Sequence, residues 1–276
     1  MIGGFRIGTS VAPEVLPSSF PNVYSGDIHE IIEKCARLGY DGVELQIRSP
    51  RARDFNAIVR TLDRFGMKVP AITTGLEYSL NKLSMISDDP IVRYNLRENF
   101  FNDIDIAADL GSLVVIGCIR GNIPPGADRS VYLARFRDEL LKMSDRAAKK
   151  GVTLVIEAIN FYVNNYLCTV RECCDFVDDL GRDNVKVHID THHMAIEETD
   201  MFGAVRYAGK RVGYVHLAEN NRMYPGATNG DYGQLMDILR ETGYDGWLTF
   251  EITPRPDPDT AARNCLDHIR KVSEGR

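Results

Sequence analysis

The most regular feature of the chain is an alternation of short β-type apolar runs with longer segments of helical periodicity. This pattern continues from one end of the sequence to the other. The apolar runs predict strands over residues 5–9, 42–45, 68–73, 113–117, 153–157, 186–190, 212–216 and 248–252. Strands that alternate with helices are typical of a parallel sheet in the α/β class.

The intervening segments predict a helix after each strand. These helices are expected over residues 27–38, 55–65, 92–110, 134–150, 170–180, 202–208, 232–242 and 259–272. Several segments end in glycine, as helix C-caps do, namely at Gly39, Gly66, Gly111, Gly151, Gly181, Gly209 and Gly243. Eight strands alternating with eight helices predict a (β/α)8 TIM barrel. With no linker or low-complexity segment in the sequence, residues 1–276 are predicted to form a single domain.

Composition narrows the function classes. The chain has 276 residues, 44% hydrophobic content and a net charge of −6, which disfavours binding to a phosphate backbone. The longest apolar run, 113–119, is too short to cross a bilayer, and the N-terminus lacks a signal-peptide pattern. The six cysteines form no CxxC pair, which favours reduced thiols. We expect a cytoplasmic protein with a small-molecule substrate and no nucleic-acid or membrane partner; homo-oligomerisation as a dimer or tetramer is left open.

Residues able to bind a cation stand at the ends of the last four predicted strands: Glu157, Asp190, His216 and Glu251. They follow one another at about the length of one strand–helix unit, roughly 30 residues. Because barrel strands end on one face, the four should converge. The alternative is that each merely opens a polar loop. Three carboxylates and one imidazole suit one divalent ion, with Mn²⁺ expected and Co²⁺ or Mg²⁺ as alternatives, better than a thiolate-rich zinc site.

An ordered set of motifs also carries a family resemblance: "GYDGVELQIRSP", "ITTGLEY", "VVIGCIRG", "IEAIN", "DTHHMAIEE", "HLAENNRMYPG" and "FEI". The set resembles the xylose-isomerase-like barrels, within them the ketose 3-epimerases and hydroxypyruvate isomerases, with particular likeness to the 5-keto-L-gluconate epimerases. The resemblance implies that the same four residues bind the metal. It further implies that Glu157 and Glu251 are the acid/base pair and that His193 and Arg222 contact the substrate.

Two further histidines flank Asp190 in "VHIDTHH". His188 shares the strand parity of Asp190 and should point into the barrel one layer lower. We interpret it as a satisfied interior or ligand-supporting histidine rather than a ligand. The role of His192 is left open.

The chain departs from the family pattern directly after Glu157. Relatives commonly read Glu-x-x-Asn-Arg-aromatic-Glu, whereas this chain reads "EAINFYV". Asn160 fits the pattern and is predicted to contact the substrate, but Phe161 and Val163 replace the arginine and the second glutamate. The pocket should therefore be less polar than in those relatives. The alternative is that nearby loop residues supply the missing polar groups, namely Asn164, Asn165 or Tyr166.

For several other residues, a structural role is a similarly good explanation as a role in substrate binding. Tyr78 and Arg120 follow the third and fourth strands and are predicted to contact substrate. The alternative is that Tyr78 packs within its loop and that Arg120 forms a structural ion pair. Glu44 near the end of the second strand would contact substrate or orient a neighbour. Tyr214 and Trp247 lie within strands and are interpreted as packing residues.

These features predict a divalent-metal-dependent epimerase or isomerase of a ketose or keto-sugar acid. Such an enzyme removes a proton next to a carbonyl, and the metal stabilises the enediolate that forms. One alternative is a metal-dependent lyase, a deglycosidase, acting on 3-keto-glycosides. An endonuclease IV-like DNA repair enzyme is disfavoured by the acidic balance, and a non-catalytic sugar-binding barrel by the four-residue ligand set.

Overall fold

The computed structural model describes residues 1–52 and 54–275, and this part of the chain contains nine strands in one parallel sheet. The strands are β1 (Arg6–Ala12), β2 (Tyr24–Ser25), β3 (Gly42–Gln46), β4 (Ala71–Thr73), β5 (Leu113–Ile116), β6 (Leu154–Glu157), β7 (Val185–Asp190), β8 (Val212–Leu217) and β9 (Trp247–Phe250). Consecutive strands from β3 to β9 pair in order, and β1 pairs with both β3 and β9. The sheet therefore closes into an eight-stranded barrel, to which the two-residue strand β2 is added beside β1.

Helices surround this barrel. They are α1 (Ile28–Leu38), α2 (Phe55–Phe65), α3 (Gly75–Ser79), α4 (Pro90–Leu110), α5 (Arg129–Lys149), α6 (Val170–Leu180), α7 (Thr191–Glu197), α8 (Met201–Ala208), α9 (Tyr232–Glu241) and α10 (Pro258–Glu274). The predicted α/β class and (β/α)8 barrel are confirmed. In the described residues, none of the helices combines the length and apolar character that a membrane crossing requires.

The ends of the helices follow local sequence chemistry. Asp27 accepts hydrogen bonds from the N–H groups of His29 and Glu30 and so caps α1, and aspartates precede most of the other helices in the same way. All seven glycines expected after helices have positive φ, for example 97° at Gly39. The helix boundaries could therefore be read closely from the sequence.

Apolar packing lies mainly outside the barrel wall. Buried side chains such as Ile32, Phe100 and Phe136 fill the layer between strands and helices. Inside the barrel, a small apolar cluster of Ala71, Val115, Val155 and Tyr214 closes off the lower part of the interior. Above it the buried interior is polar, and this is where the strand-end residues meet.

Several strands differ from their predicted extent. β1 continues to Ala12 because it also pairs with β2. β4 is shorter than 68–73 because Pro70 has no N–H to donate, and Lys68 makes only an isolated bridge with Gly42. β9 ends at Phe250, so that Glu251 lies one residue beyond the strand.

Candidate metal and catalytic site

Four side chains converge at the C-terminal end of the barrel: Glu157, Asp190, His216 and Glu251. Each offers one ligand atom, and these atoms all lie within 4.8 Å of one another. Pairing between β7 and β8 sets Asp190 beside His216, while β6 and β9 bring the two glutamates from either side. All four residues are buried. The strand register therefore brings three acidic side chains and one imidazole into one small volume.

The contacts of the His216 ring show whether the cluster could hold a metal ion. Its Nε2 lies 2.6 Å from Oε2 of Glu44, which holds that side of the ring. Its Nδ1 faces Oδ2 of Asp190 at 3.7 Å and Oε2 of Glu251 at 3.4 Å. Although it is buried, Nδ1 hydrogen-bonds to none of the residues that the structure describes. A buried imidazole nitrogen that can lose its proton to a cation, surrounded by carboxylate oxygens, is a suitable ligand set for a divalent cation.

Arg222 balances part of this negative charge. Its Nη1 donates to Oδ2 of Asp190 at 2.6 Å, and its Nη2 contacts Oε2 of Glu251. The residue lies in the turn after β8, with φ at 62°, and its carbonyl accepts the N–H of Thr253 at 2.8 Å. The loops after β8 and β9 are thus joined around the guanidinium.

The charged groups shift one another's pKa values. Burial, with help from the Asp190 carboxylate, raises the pKa of Glu157 to about 7. Burial opposes ionisation of Asp190 as well, yet the Arg222 guanidinium holds its pKa well below the usual range. For His216, burial would lower the pKa, but the carboxylates of Glu44 and Asp190 outweigh it and raise the value to about 10. In the absence of a metal ion, Glu157 is therefore a carboxyl group able to exchange a proton near neutral pH.

His193 faces the cluster from the start of α7. The amide Nδ2 of Asn160 donates to its Nδ1 at 2.7 Å, which leaves Nε2 to face Oε1 of Glu157 at 3.6 Å and Oδ2 of Asp190 at 4.0 Å. Burial lowers the pKa of His193 well below its ordinary value. The ring is therefore neutral, with its Nε2 directed at the site. His192 differs, since its Nδ1 lies 3.2 Å from the carbonyl oxygen of Glu219.

A cavity of about 730 Å³ opens above the four converging side chains. Tyr78, Val163, His193 and Arg222 line it together with the two glutamates and His216. Part of its wall is apolar, formed by Phe20, Leu76, Ile159 and Val163. The cavity therefore has a charged floor and a partly apolar side.

The chain is similar in sequence and fold to known proteins. Residues 32–272 match the family of xylose isomerase-like TIM barrels. The chain belongs to this family. An L-ribulose 3-epimerase from Methylomonas sp. (strain DH-1) is 32% identical over 252 residues, which cover 88% of this chain and 86% of that relative. A 3-dehydro-D-guloside 4-epimerase from Escherichia coli (strain K12) is 29% identical over 134 residues, 48% of this chain and 51% of its own.

Solved structures agree with this assignment. The crystal structure of a D-allulose 3-epimerase from Methylomonas sp. in complex with D-allulose has a TM-score of 0.82 and 27% identity. The superposition covers 97% of this chain and 96% of that one. This member of the xylose isomerase-like family is accordingly a sugar epimerase or isomerase.

Arg120 does not face the cavity in this family member. It is fully buried, and its Nη1 donates to the carbonyl oxygen of Glu157. Its Nη2 donates to the carbonyl oxygens of Tyr166 at 3.3 Å and Leu167 at 3.1 Å. The guanidinium supports the loop after β6, so the geometry corresponds to a structural role rather than to the predicted substrate contact.

The loop residues considered as replacements for the missing glutamate also bind main-chain groups. Asn164 donates to the carbonyl oxygen of Gly121 at 2.9 Å, and the Tyr166 hydroxyl donates to that of Arg120 at 2.8 Å. Asn165 donates to Ile123 at 2.8 Å. These polar groups join the loops after β5 and β6, while Val163 is the loop residue that lines the cavity.

Two residues that shape the site, Gln46 and Gly117, were not predicted from the sequence. Gln46 donates through Nε2 to Oε1 of Glu251 at 2.7 Å, and its period-two spacing from Glu44 was the available signal that both face inward. Gly117 leaves room for a catalytic candidate, because a Cβ there would lie 2.5 Å from Oε2 of Glu157. The sequence alone gave no sign of that close approach.

Proposed function

We propose that the chain is a divalent-metal-dependent epimerase that inverts a carbon next to the carbonyl of a ketose or keto-sugar acid. The observation that carries the proposal is the convergence of Glu157, Asp190, His216 and Glu251 within 4.8 Å at the floor of a large cavity. The names of two relatives support the same chemistry. Ribulose has its carbonyl at C2 and is epimerised at C3; a 3-dehydro-guloside has its carbonyl at C3 and is epimerised at C4.

The four residues would hold one divalent cation through three carboxylates and Nδ1 of His216. An oxygen-rich set of this kind favours Mn²⁺, with Co²⁺ or Mg²⁺ as alternatives. When bound, such an ion supplies a Lewis acid and a template for the carbonyl and the adjacent hydroxyl oxygen.

The two glutamates carry the proton transfers in this proposal. Glu157 lines the cavity beside the proposed cation position and takes the proton from the carbon of a substrate of one configuration. Glu251 is held by Gln46 and Arg222 and returns a proton to the opposite face of the enediolate. The configuration of the substrate decides which glutamate acts first.

His193 and Arg222 act on the oxygens. Both line the cavity and border the carboxylate cluster. Hydrogen-bond donors placed where negative charge develops lower the barrier to forming an enediolate. The neutral His193 ring donates a hydrogen bond through its Nε2–H group and keeps that proton. Asn160 fixes the orientation of the ring.

A second candidate is a lyase acting on 3-keto-glycosides. The apolar side of the cavity favours it, because Leu76, Ile159 and Val163 offer contact area to an aglycone and no hydrogen bonds to a free ketose. Removal of the C2 proton next to the C3 carbonyl would form the enediolate, and expulsion of the aglycone from C1 would complete the elimination.

One experiment tests both candidates. The metal-free protein is incubated with Mn²⁺ and either L-ribulose, D-fructose or an aryl 3-keto-glucoside, and products are followed by NMR. Epimerised ketose supports the leading proposal, whereas released phenol supports the lyase. Glu157→Gln is the matched control and should abolish either product. A metal-loaded, folded protein that transforms none of these carbonyl sugars would contradict the proposed chemistry.

A further inference from the structure

His188 lies directly beneath the carboxylate cluster. Its side chain is completely buried, and its ring meets the His216 ring edge-on at a centroid distance of 4.1 Å. Tyr214 closes the other side at 5.2 Å. Neither ring nitrogen of His188 hydrogen-bonds to any residue in the described part of the chain. The groups of the described residues therefore leave both ring nitrogens of His188 unsatisfied.

An imidazole without partners in a barrel interior calls for a ligand. A neutral ring carries one donor and one acceptor, and burial of both without a partner is unfavourable. The other rings around His188 offer it packing contacts rather than hydrogen bonds. The nearby groups that can share a ligand with it belong to Glu157 and His216.

Those three residues form a ligand set of their own. Glu157, His188 and His216 each offer one atom, and the three atoms lie within 4.8 Å of one another. Two imidazole nitrogens and one glutamate oxygen are a donor set that zinc commonly takes in catalytic sites. The upper set, by contrast, has three carboxylates and one imidazole and suits harder ions.

We propose that the barrel contains a second, overlapping metal position, formed by Glu157, His188 and His216, which binds a borderline divalent ion such as Zn²⁺. Glu157 and His216 belong to both positions, so one ion excludes the other. Asp190 and Glu251 serve only the upper position, and His188 serves only the lower one. An ion in the lower position keeps the ion of the upper position from binding and thereby inhibits the enzyme; this consequence rests on the proposed function, whereas the binding does not.

Binding measurements test the proposal without reference to activity. Dissociation constants for Zn²⁺ and Mn²⁺ are determined on metal-free protein by competition with a chromophoric chelator. His188→Leu should weaken Zn²⁺ binding at least about tenfold and change Mn²⁺ binding by less than about threefold. The double variant Asp190→Asn/Glu251→Gln should weaken Mn²⁺ binding at least about tenfold and change Zn²⁺ binding by less than about threefold. His29→Asn removes an exposed imidazole on α1 that contacts Thr61 of α2, and it should alter neither constant.

A second variant and a direct observation complete the test. His188→Gln keeps a polar side chain of similar length. If His188→Leu does not fold, the Zn²⁺ dissociation constant of His188→Gln is compared with that of the wild type instead. Zinc anomalous diffraction from the double variant should place the ion beside His188. The proposal is overturned if folded His188 variants bind Zn²⁺ as tightly as the wild type. It is equally overturned if they weaken both ions alike, or if the double variant loses Zn²⁺ as completely as Mn²⁺.

Discussion

The carboxylate of Glu44 lies 2.6 Å from Nε2 of His216, and both side chains are buried in the barrel interior. A carboxylate at Nε2 accepts the proton of that nitrogen, so Nδ1, the atom that faces Asp190 and Glu251, is the nitrogen that can give up its proton to a cation. Glu44 therefore orients His216 and fixes its tautomer without facing the cluster itself. This corresponds to the interpretation of Glu44 as a residue that orients a neighbour.

Replacing Glu44 should weaken the metal site. Glu44→Gln keeps the size of the side chain but removes the charge that holds His216, and we expect metal affinity to fall about 10- to 100-fold. Isothermal titration calorimetry with Mn²⁺ measures this. Glu139→Gln is the matched control, since Glu139 is also a buried glutamate but pairs with Arg97 and Lys142 away from the site. An unchanged Mn²⁺ affinity in Glu44→Gln would show that His216 needs no such support.

Asp190 has two separable roles. Its Oδ1 accepts the N–H of His192 at 2.8 Å and caps α7, while its Oδ2 faces His216 and Arg222. Asp190→Asn keeps the capping acceptor and Asp190→Ala removes it, so the alanine variant should be less stable than the asparagine variant by about 1 kcal/mol. Both should lose most of their bound metal. Elemental analysis after dialysis and urea denaturation give the two readouts, and undiminished metal in Asp190→Ala would exclude Asp190 as a ligand.

Metal binding should release protons. His216 has a pKa of about 10, so at pH 8 it is protonated in the metal-free protein and must lose the Nδ1 proton to bind an ion. Glu157, with a pKa of about 7, is then largely ionised, but near pH 6 it also carries a proton that must leave. Affinity should therefore rise with pH, with about one proton released at pH 8 and more at pH 6. Calorimetry in two buffers of different ionisation enthalpy counts these protons. No release at either pH would contradict the assigned charge states.

The fold and the placement of the strand-end residues could be predicted because both depend on local periodicity. The period of two along each strand fixes which side chains face inward, and the repeat of strand and helix sets Glu157 and Asp190 on the same face. The direction of Arg120 could not be predicted, because it depends on where the loop after β6 places its carbonyl groups. Neither could the unpartnered state of His188, which depends on what neighbouring strands leave unfilled.

The loop residue Val163 should influence the choice of substrate. It lines the cavity, whereas Phe161 is 55% exposed and packs at a tilt against Tyr162 with ring centroids 4.0 Å apart. Val163→Glu adds an acceptor for sugar hydroxyls, and we expect it to raise kcat/KM for a free ketose relative to a 3-keto-glycoside about tenfold. Phe161→Arg tests the second departure from the family pattern and should contribute less. Steady-state kinetics on both substrates measure the ratio. If a variant that combines Phe161→Arg with Val163→Glu leaves that ratio unchanged, other parts of the cavity set the preference.

The proton itself gives the most direct test of the mechanism. If Glu157 and Glu251 are the acid/base pair, the proton removed from carbon reaches a carboxyl group, whose protons exchange with water. Turnover in D₂O should therefore place deuterium on the carbon next to the carbonyl, as measured by NMR of the product. Glu251→Gln keeps an oxygen for the metal and an acceptor near Gln46 but cannot transfer the proton, so exchange should fall roughly a hundredfold or more while part of the metal affinity remains. A direct hydride shift between carbons would carry no solvent deuterium into the product. Unlabelled product formed at full rate in D₂O would thus reject proton transfer and leave both glutamates as metal ligands only.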